Sequence, residues 1–432
     1  MQKKRLLIIE LNEFNENLLI SGANKYNLKN IRKLLEFKSS QTISMDEIEH
    51  HGLDPWVQWV SIHTGVPHTK HKITHLADIS KLTFPQIWEK IGDLGLSSGI
   101  WGAMNASLNK AKGCCFFLPD PWTFSEKAIP EKLNNFLALP RFYSKNYLSI
   151  FSRKLFNSLT KLIFFIFFQF NFSNLLKDFI YSLKCFSLIG LNSNLIFSLF
   201  DLISTRVFIE YKKKYDPNLS IIFFNCLAHA QHKVWPKDYL NKNITVTLKI
   251  VDRILGMIFN ELSDDEALIV TNGLSQKNVE GSKYCIYRQL DPKKFINLLG
   301  LKYNHLEQCM TNESHIFYQS ITDKEKAYSI LKKATINGEK LFHVEQYKEL
   351  DNKLFLQIAY FKPIKKGTKF TLKGIDYDFY DYFSLLGERT GAHIPNGKAY
   401  YKNIDINDNI YNHKLFNEVF DYFANDFKKI KI

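Results

Sequence analysis

Short apolar runs that stop abruptly in polar or small residues recur along this chain, with stretches of helical periodicity between them. Four such runs are Leu6–Leu11, Ser98–Met104, Leu219–Cys226 and Ala267–Asn272. Runs that are apolar on both faces predict buried, mostly parallel strands. The intervening segments Phe84–Leu94 and Ile244–Leu262 carry apolar residues at helical spacing. Strands alternating with helices predict an α/β fold: a doubly wound, mostly parallel sheet sandwiched between helices.

Two regions break the alternation. Residues 140–203 are rich in Phe and Leu and helical in character, with Leu162–Phe168 as an uninterrupted apolar core. That core is far short of the roughly 20 residues that span a bilayer. The region predicts a helical insertion, either a cap or a helix lying in a membrane interface, with Lys154, Lys161 and Lys177 near the headgroups. Later, Lys353–Phe361 and Thr368–Gly374 alternate at period two, predicting a small antiparallel hairpin unit. The expected division is a core of residues 1–139, 204–300 and 380–432, a helical insertion over 140–203, and a small α+β insertion over 301–379. Leu415–Phe427 closes the chain as a helix.

Composition narrows the class. A chain of 432 residues with 45% apolar content has ample core, and a net charge of +14 arises mostly from scattered Lys. The charge suits a solvated surface or attraction to phosphorylated ligands or anionic lipid. No zinc-finger, helix-turn-helix or RNP-like pattern accompanies it, so no nucleic acid is expected as partner. Six Cys without regular spacing fit a reducing cytoplasm. The basic start, Met1 to Arg5, is followed by an apolar run too short for a signal peptide and interrupted by Glu10. The expected location is therefore cytoplasmic, or peripheral to the inner face of the membrane.

Where strands stop, candidate chemistry begins, because open α/β sheets gather ligands at the carboxyl ends of parallel strands. The first run ends in Asn12-Glu13, the third in Asn225 and the fourth in Asn272. Between them lie Asp54-Pro55-Trp56 leading into Trp59-Val-Ser-Ile-His-Thr-Gly65, then His68-Thr-Lys-His-Lys-Ile73. Further on come Gln231-His-Lys-Val-Trp235 and Gly391-Ala-His-Ile-Pro-Asn-Gly397. In this order the motifs resemble the alkaline phosphatase superfamily, in particular its phosphodiesterase and nucleotide-pyrophosphatase-like branch.

The resemblance implies an alkaline-phosphatase-like sandwich and two divalent cations held by carboxylates and imidazoles, with a Thr, Ser or modified Cys as nucleophile. This chain departs from that pattern. The first family carboxylate falls at Asn12, with Glu10 and Glu13 the nearest acids, and the nucleophile falls at Pro55, beside Asp54. The family's Asp-x-x-x-His pair falls on Ala228 and His232 or on Asn225 and His229, and its Asp-His-Gly on Asn272-Gly273. His393 sits in its motif. Amide oxygens bind hard cations weakly, so the implied metal complement shrinks to at most one divalent cation, zinc or manganese.

The expected site is thus Asp54, His232 and His393 as catalytic groups, with His229, His232, His393 and Asp54 as the available metal ligands. Glu10, Asn12, Asn225, Asn272 and Arg389 are expected to contact substrate, Arg389 through bidentate binding of an anion, with a structural ion pair as its alternative part. Glu10 has an alternative part as a cap on a neighbouring helix. Trp56 and Trp59 are expected to pack, and His68, His71 and His75 to form a solvated helical face. Three functions remain open. One is an enzyme on a phosphate ester or phosphodiester, including one on a nucleotide-activated sugar or glycan. Another is an inactive relative that binds a phosphorylated ligand or partner. The third is a peripheral membrane protein of envelope or glycan assembly, anchored through 159–203.

Overall fold

A computed structural model describes residues 3–46, 53–146, 153–169, 172–233, 235, 240–279, 284–308, 312–347 and 352–429. Its contacts divide into two compact units. One comprises Met1–Leu139, Phe156–Asn278 and Gly391–Ile432, the other Pro140–Leu155 and Val279–Thr390.

The first unit is built on an eight-stranded sheet. Its strands are β1 (Leu6–Leu11), β2 (Lys38–Ile43), β3 (Ser98–Trp101), β4 (Cys114–Leu118), β5 (Leu219–Phe224), β6 (Ala267–Thr271), β7 (Asn396–Lys402) and β8 (Ile410–Tyr411). They lie in the order β8-β2-β7-β6-β1-β5-β3-β4. β6, β1, β5, β3 and β4 run parallel, whereas β7 is antiparallel to both β6 and β2. The predicted α/β class with a mostly parallel sheet is the one observed.

Side chains alternate along β1. Leu7, Ile9 and Leu11 join a core with Leu18, Leu19 and Ala23 of the helix Glu16–Tyr26 and with Leu248 and Val251 of Lys242–Phe259. Ile8 and Glu10 face the opposite way, toward Ile62 and His63 of the helix Pro55–Thr64 and Leu415 and Val419 of Leu415–Lys429. Every residue of β1, β5 and β6 is buried, which is why those strands read as unbroken apolar runs.

The aromatic-rich region folds into the helices Arg153–Gln169, Phe172–Ile189 and Ser193–Tyr215. Leu162, Phe165, Cys185, Leu195 and Leu202 carry them into the main core. No described helix is long and apolar enough to cross a membrane.

The second unit is largely antiparallel. One four-stranded sheet holds 303–308, 313–318, 342–346 and 353–358, and another holds 335–336, 339–340, 369–372 and 375–378. Phe295, Phe342, Phe370 and Phe383 form its centre. Its boundaries fall at 278/279 and 390/391, not near 300 and 380, because Tyr284–Gln289 pairs with Phe383–Arg389 along the whole strand.

Candidate functional site

Because β1, β5 and β6 are parallel neighbours, their carboxyl ends meet at one edge of the sheet. The Asn12 amide N–H donates to the Phe224 carbonyl at 3.0 Å and the Glu13 N–H to the Asn272 carbonyl at 3.0 Å. Glu13 adopts a left-handed backbone (φ 57°), uncommon for a residue with a Cβ. Asn15 then caps the following helix, its side chain accepting from the Leu18 N–H.

That turn delivers the Glu13 carboxylate, which is 1% exposed, between two histidines. Its Oε2 lies 3.0 Å from His232 Nε2 and 3.2 Å from His393 Nε2. The two Nε2 atoms are 3.4 Å apart. His232 comes from the helix Cys226–Lys233, which follows β5. His393 comes from Gly391–Ile394, a short strand paired antiparallel with Ser275–Asn278 just beyond β6. Gly391 permits this approach: a Cβ there would stand 2.5 Å from Gln276 Oε1 and 2.9 Å from the Gln231 carbonyl.

Amides frame the carboxylate. Asn12 Nδ2 donates to Glu13 Oε1 at 2.9 Å, and Gln276 Nε2 donates to Oε2. Asn12 is itself held by the Trp59 indole N–H, 2.8 Å from Asn12 Oδ1, and its Nδ2 also reaches Asn225 Oδ1 at 2.9 Å. Gln231 Nε2 donates to the Glu13 carbonyl at 2.8 Å and so fixes the turn. Burial pushes the Glu13 carboxyl up, but the charges and hydrogen bonds of His232 and His393 outweigh it and hold the group well below the ordinary carboxylate range.

These three groups suit a metal ion. Among the described residues, theirs is the one place where three His, Cys, Asp or Glu donors converge. Ligands about 2.0–2.1 Å from a tetrahedral zinc stand roughly 3.3 Å from one another. The observed separations of 3.0, 3.2 and 3.4 Å fall around that edge length. One carboxylate with two imidazoles also matches the ligand types that zinc and manganese accept.

Asp54 approaches from the other side of His393. It precedes the helix Pro55–Thr64, with Pro55 in the first turn, and its Oδ1 lies 3.6 Å from His393 Nδ1. That is an ion-pair distance, longer than a hydrogen bond. A carboxylate facing the outer nitrogen of a ligand imidazole fixes the ring's tautomer and orientation.

Of the residues expected to form the site, His232, His393, Asp54, Asn12 and Asn225 come together, and others do not join them. Glu10 lies inside β1, three residues before Glu13. Its side chain turns between sheet and helix, where Oε1 meets His63 Nε2 at 2.6 Å, both residues being 1% exposed. Glu10 Oε2, His63 Nδ1 and Thr271 Oγ1 have no hydrogen-bond partner among the described residues and border a cavity of about 20 Å³. That is room for one water. Nor does Glu10 cap a helix. Asn272 is buried, its Nδ2 donating to the Phe14 carbonyl at 2.8 Å and its Oδ1 accepting from the Lys398 N–H at 2.9 Å. Both ends of its amide brace the loop. His229 is outside the Glu13 cluster, its ring 4.2 Å from that of Phe197. Arg389 ends the strand Phe383–Arg389, which belongs to the second unit.

The expectation of a solvated histidine face is overturned. His71 and His75 are buried. His71 accepts from the Ile73 N–H at Nδ1 and meets Ser61 Oγ at 2.9 Å through Nε2. Burial and the neighbouring His68 push its pKa down to about 3. Helical spacing put these residues on one face, but the segment folds inward after a single turn, His68–His71.

Glu13 is a candidate ligand that the motif resemblance does not single out. It was visible as one of two nearby acids, but its part depends on the left-handed turn, which no local pattern announced.

No family model and no curated protein matches the chain. Among solved structures, it is similar to phosphonoacetate hydrolase from Sinorhizobium meliloti 1021 in complex with phosphonoformate. The identity is 10%, the TM-score 0.44, and 96% of this chain and 94% of that chain are covered. It is also similar to an inactive variant of murine ectonucleotide pyrophosphatase/phosphodiesterase 5 in complex with AMP, at 10% identity and TM-score 0.49, covering 98% and 95%. The human counterpart gives 9% identity and TM-score 0.45, with the same coverage. Such identities and scores carry no residue role across, so the chemistry must come from this chain's own groups.

Proposed function

We propose that this chain is an enzyme acting on a phosphate ester or phosphodiester, with at most one divalent cation, zinc or manganese, at Glu13, His232 and His393. The observation supporting this reading is the convergence of one carboxylate and two Nε2 atoms at the carboxyl edge of a parallel sheet. A bound cation would offset the charge of a phosphoryl oxygen and lower the pKa of a bound oxygen nucleophile. Asp54 faces His393 Nδ1 from the head of the helix and is our candidate either to displace the ester oxygen from phosphorus as a carboxylate nucleophile or to take a proton from an attacking hydroxyl. Asn225, beside Asn12, is the amide left to contact the substrate.

The substrate classes we propose are nucleotides, nucleotide-activated sugars and phosphorylated glycans. The ligands of the two complexes, phosphonoformate and AMP, are practical first probes. Purified full-length chain with zinc or manganese should turn over an activated phosphodiester, and His393→Ala should abolish that turnover.

A second reading is a non-catalytic binder of a phosphorylated ligand. It is favoured by Pro55 at the helix start, which offers no nucleophile, and by the Asn272 amide, which is spent on the loop. No turnover on any probe, together with a melting temperature raised by AMP, would select this reading.

A further inference from the structure

The helices Arg153–Gln169 and Phe172–Ile189 carry apolar residues on two opposite sides. One side supplies Leu162, Phe165 and Cys185 to the core. The other leaves Phe156, Phe164, Phe167, Phe179, Ile180 and Leu183 each more than half exposed. Monomeric soluble proteins rarely leave so continuous an apolar face in water.

The charges along this face share one sign. Between residues 156 and 191 the charged residues are Lys161, Lys177, Lys184 and Asp178. The three lysines are exposed. Asp178 is buried and paired with Arg206 and Arg253, so it offers no negative charge to a partner. Lys177 and Lys184 are two helical turns apart and so fall on the same flank.

From this we infer that the helix pair docks on an anionic lipid surface. Its phenylalanines and leucines enter the boundary between headgroups and acyl chains, and its lysines contact the phosphates. The helices lie on the bilayer and do not cross it. A second copy of the chain is the weaker occupant, since the same face of another copy supplies no negative charge to pair with Lys161, Lys177 and Lys184. The docking is independent of the Glu13 site, which zinc titration reads separately.

Cosedimentation of the full chain with vesicles tests this, comparing phosphatidylcholine alone with phosphatidylcholine containing phosphatidylglycerol. The chain should bind the anionic vesicles and release as salt rises. Lys161→Glu/Lys177→Glu/Lys184→Glu should lower that partition by roughly a hundredfold or more. Phe156→Ser/Phe164→Ser/Phe167→Ser should lower it at least about tenfold. Unchanged melting temperatures would show that both variants remain folded. The proposal is overturned if the wild-type chain stays in the supernatant with both vesicle types, or if the charge-reversed variant binds as the wild type does. A lipid-free dimer that the serine variant abolishes, without vesicle binding, would also overturn it.

Discussion

His232 and His393 are 161 residues apart in sequence, yet their Nε2 atoms stand 3.4 Å apart. Both face Oε2 of Glu13. One arrives on the helix after β5 and the other on a strand beyond β6, so the sheet's parallel order brings them together. Three donors on three separate segments form a site only when the whole sheet is assembled. Cation binding should therefore raise the melting temperature of the full chain, and Glu13→Gln should remove that increment. Thermal melts with and without zinc check it.

Asn12 contributes orientation. It lies between the Trp59 indole and Glu13, and both of its amide atoms are engaged. Asn12→Ala should weaken zinc or manganese binding by about 10- to 100-fold, the usual cost of losing a group that orients a ligand. Competition titration against a fluorescent chelator measures this.

The Glu10–His63 pair should affect stability and leave cation binding intact. Both groups are buried, and each is the other's only described hydrogen-bond partner for these side chains. Glu10→Ala should cost about 1–3 kcal/mol in urea denaturation, because it leaves the His63 ring buried without its hydrogen-bond partner. Zinc affinity should be unchanged. A loss of zinc affinity without a stability loss would return Glu10 to the site.

His71 gives stability a pH dependence. Its pKa is pushed down from 6.5 to about 3, so the folded state favours the neutral ring. The contribution is fully present above about pH 6.5 and is lost as pH falls toward 3. Between neutral pH and pH 4 the loss should be on the order of 2–3 kcal/mol. His71→Gln, which does not titrate, should be less stable than the wild type at neutral pH, with the gap narrowing in acid. Denaturation midpoints across that range test the sign.

The central strands were legible in the sequence, whereas the outer ones were not. β1, β5 and β6 are buried on both faces and so read as apolar runs. β2, whose sequence Lys-Ser-Ser-Gln-Thr-Ile alternates between exposed and buried, carries little apolar signal. β7 is interleaved with polar residues and begins at Asn396-Gly397, so it read as part of a motif and not as a strand. At the site, motif order singled out His232, on the helix after β5, and His393, on the short strand that pairs with Ser275–Asn278 beyond β6. Glu13 and Glu10 are three residues apart and indistinguishable by composition. Only the backbone turn at Glu13 sends one carboxylate into the site while strand alternation sends the other beneath a helix.

Titration calorimetry of the full chain with zinc, set beside Glu13→Gln, tests the central claim most directly. The geometry predicts one equivalent bound by the wild-type chain and none by the variant at the same concentrations. Two equivalents, or equal binding by the variant, would contradict a single-cation site centred on Glu13.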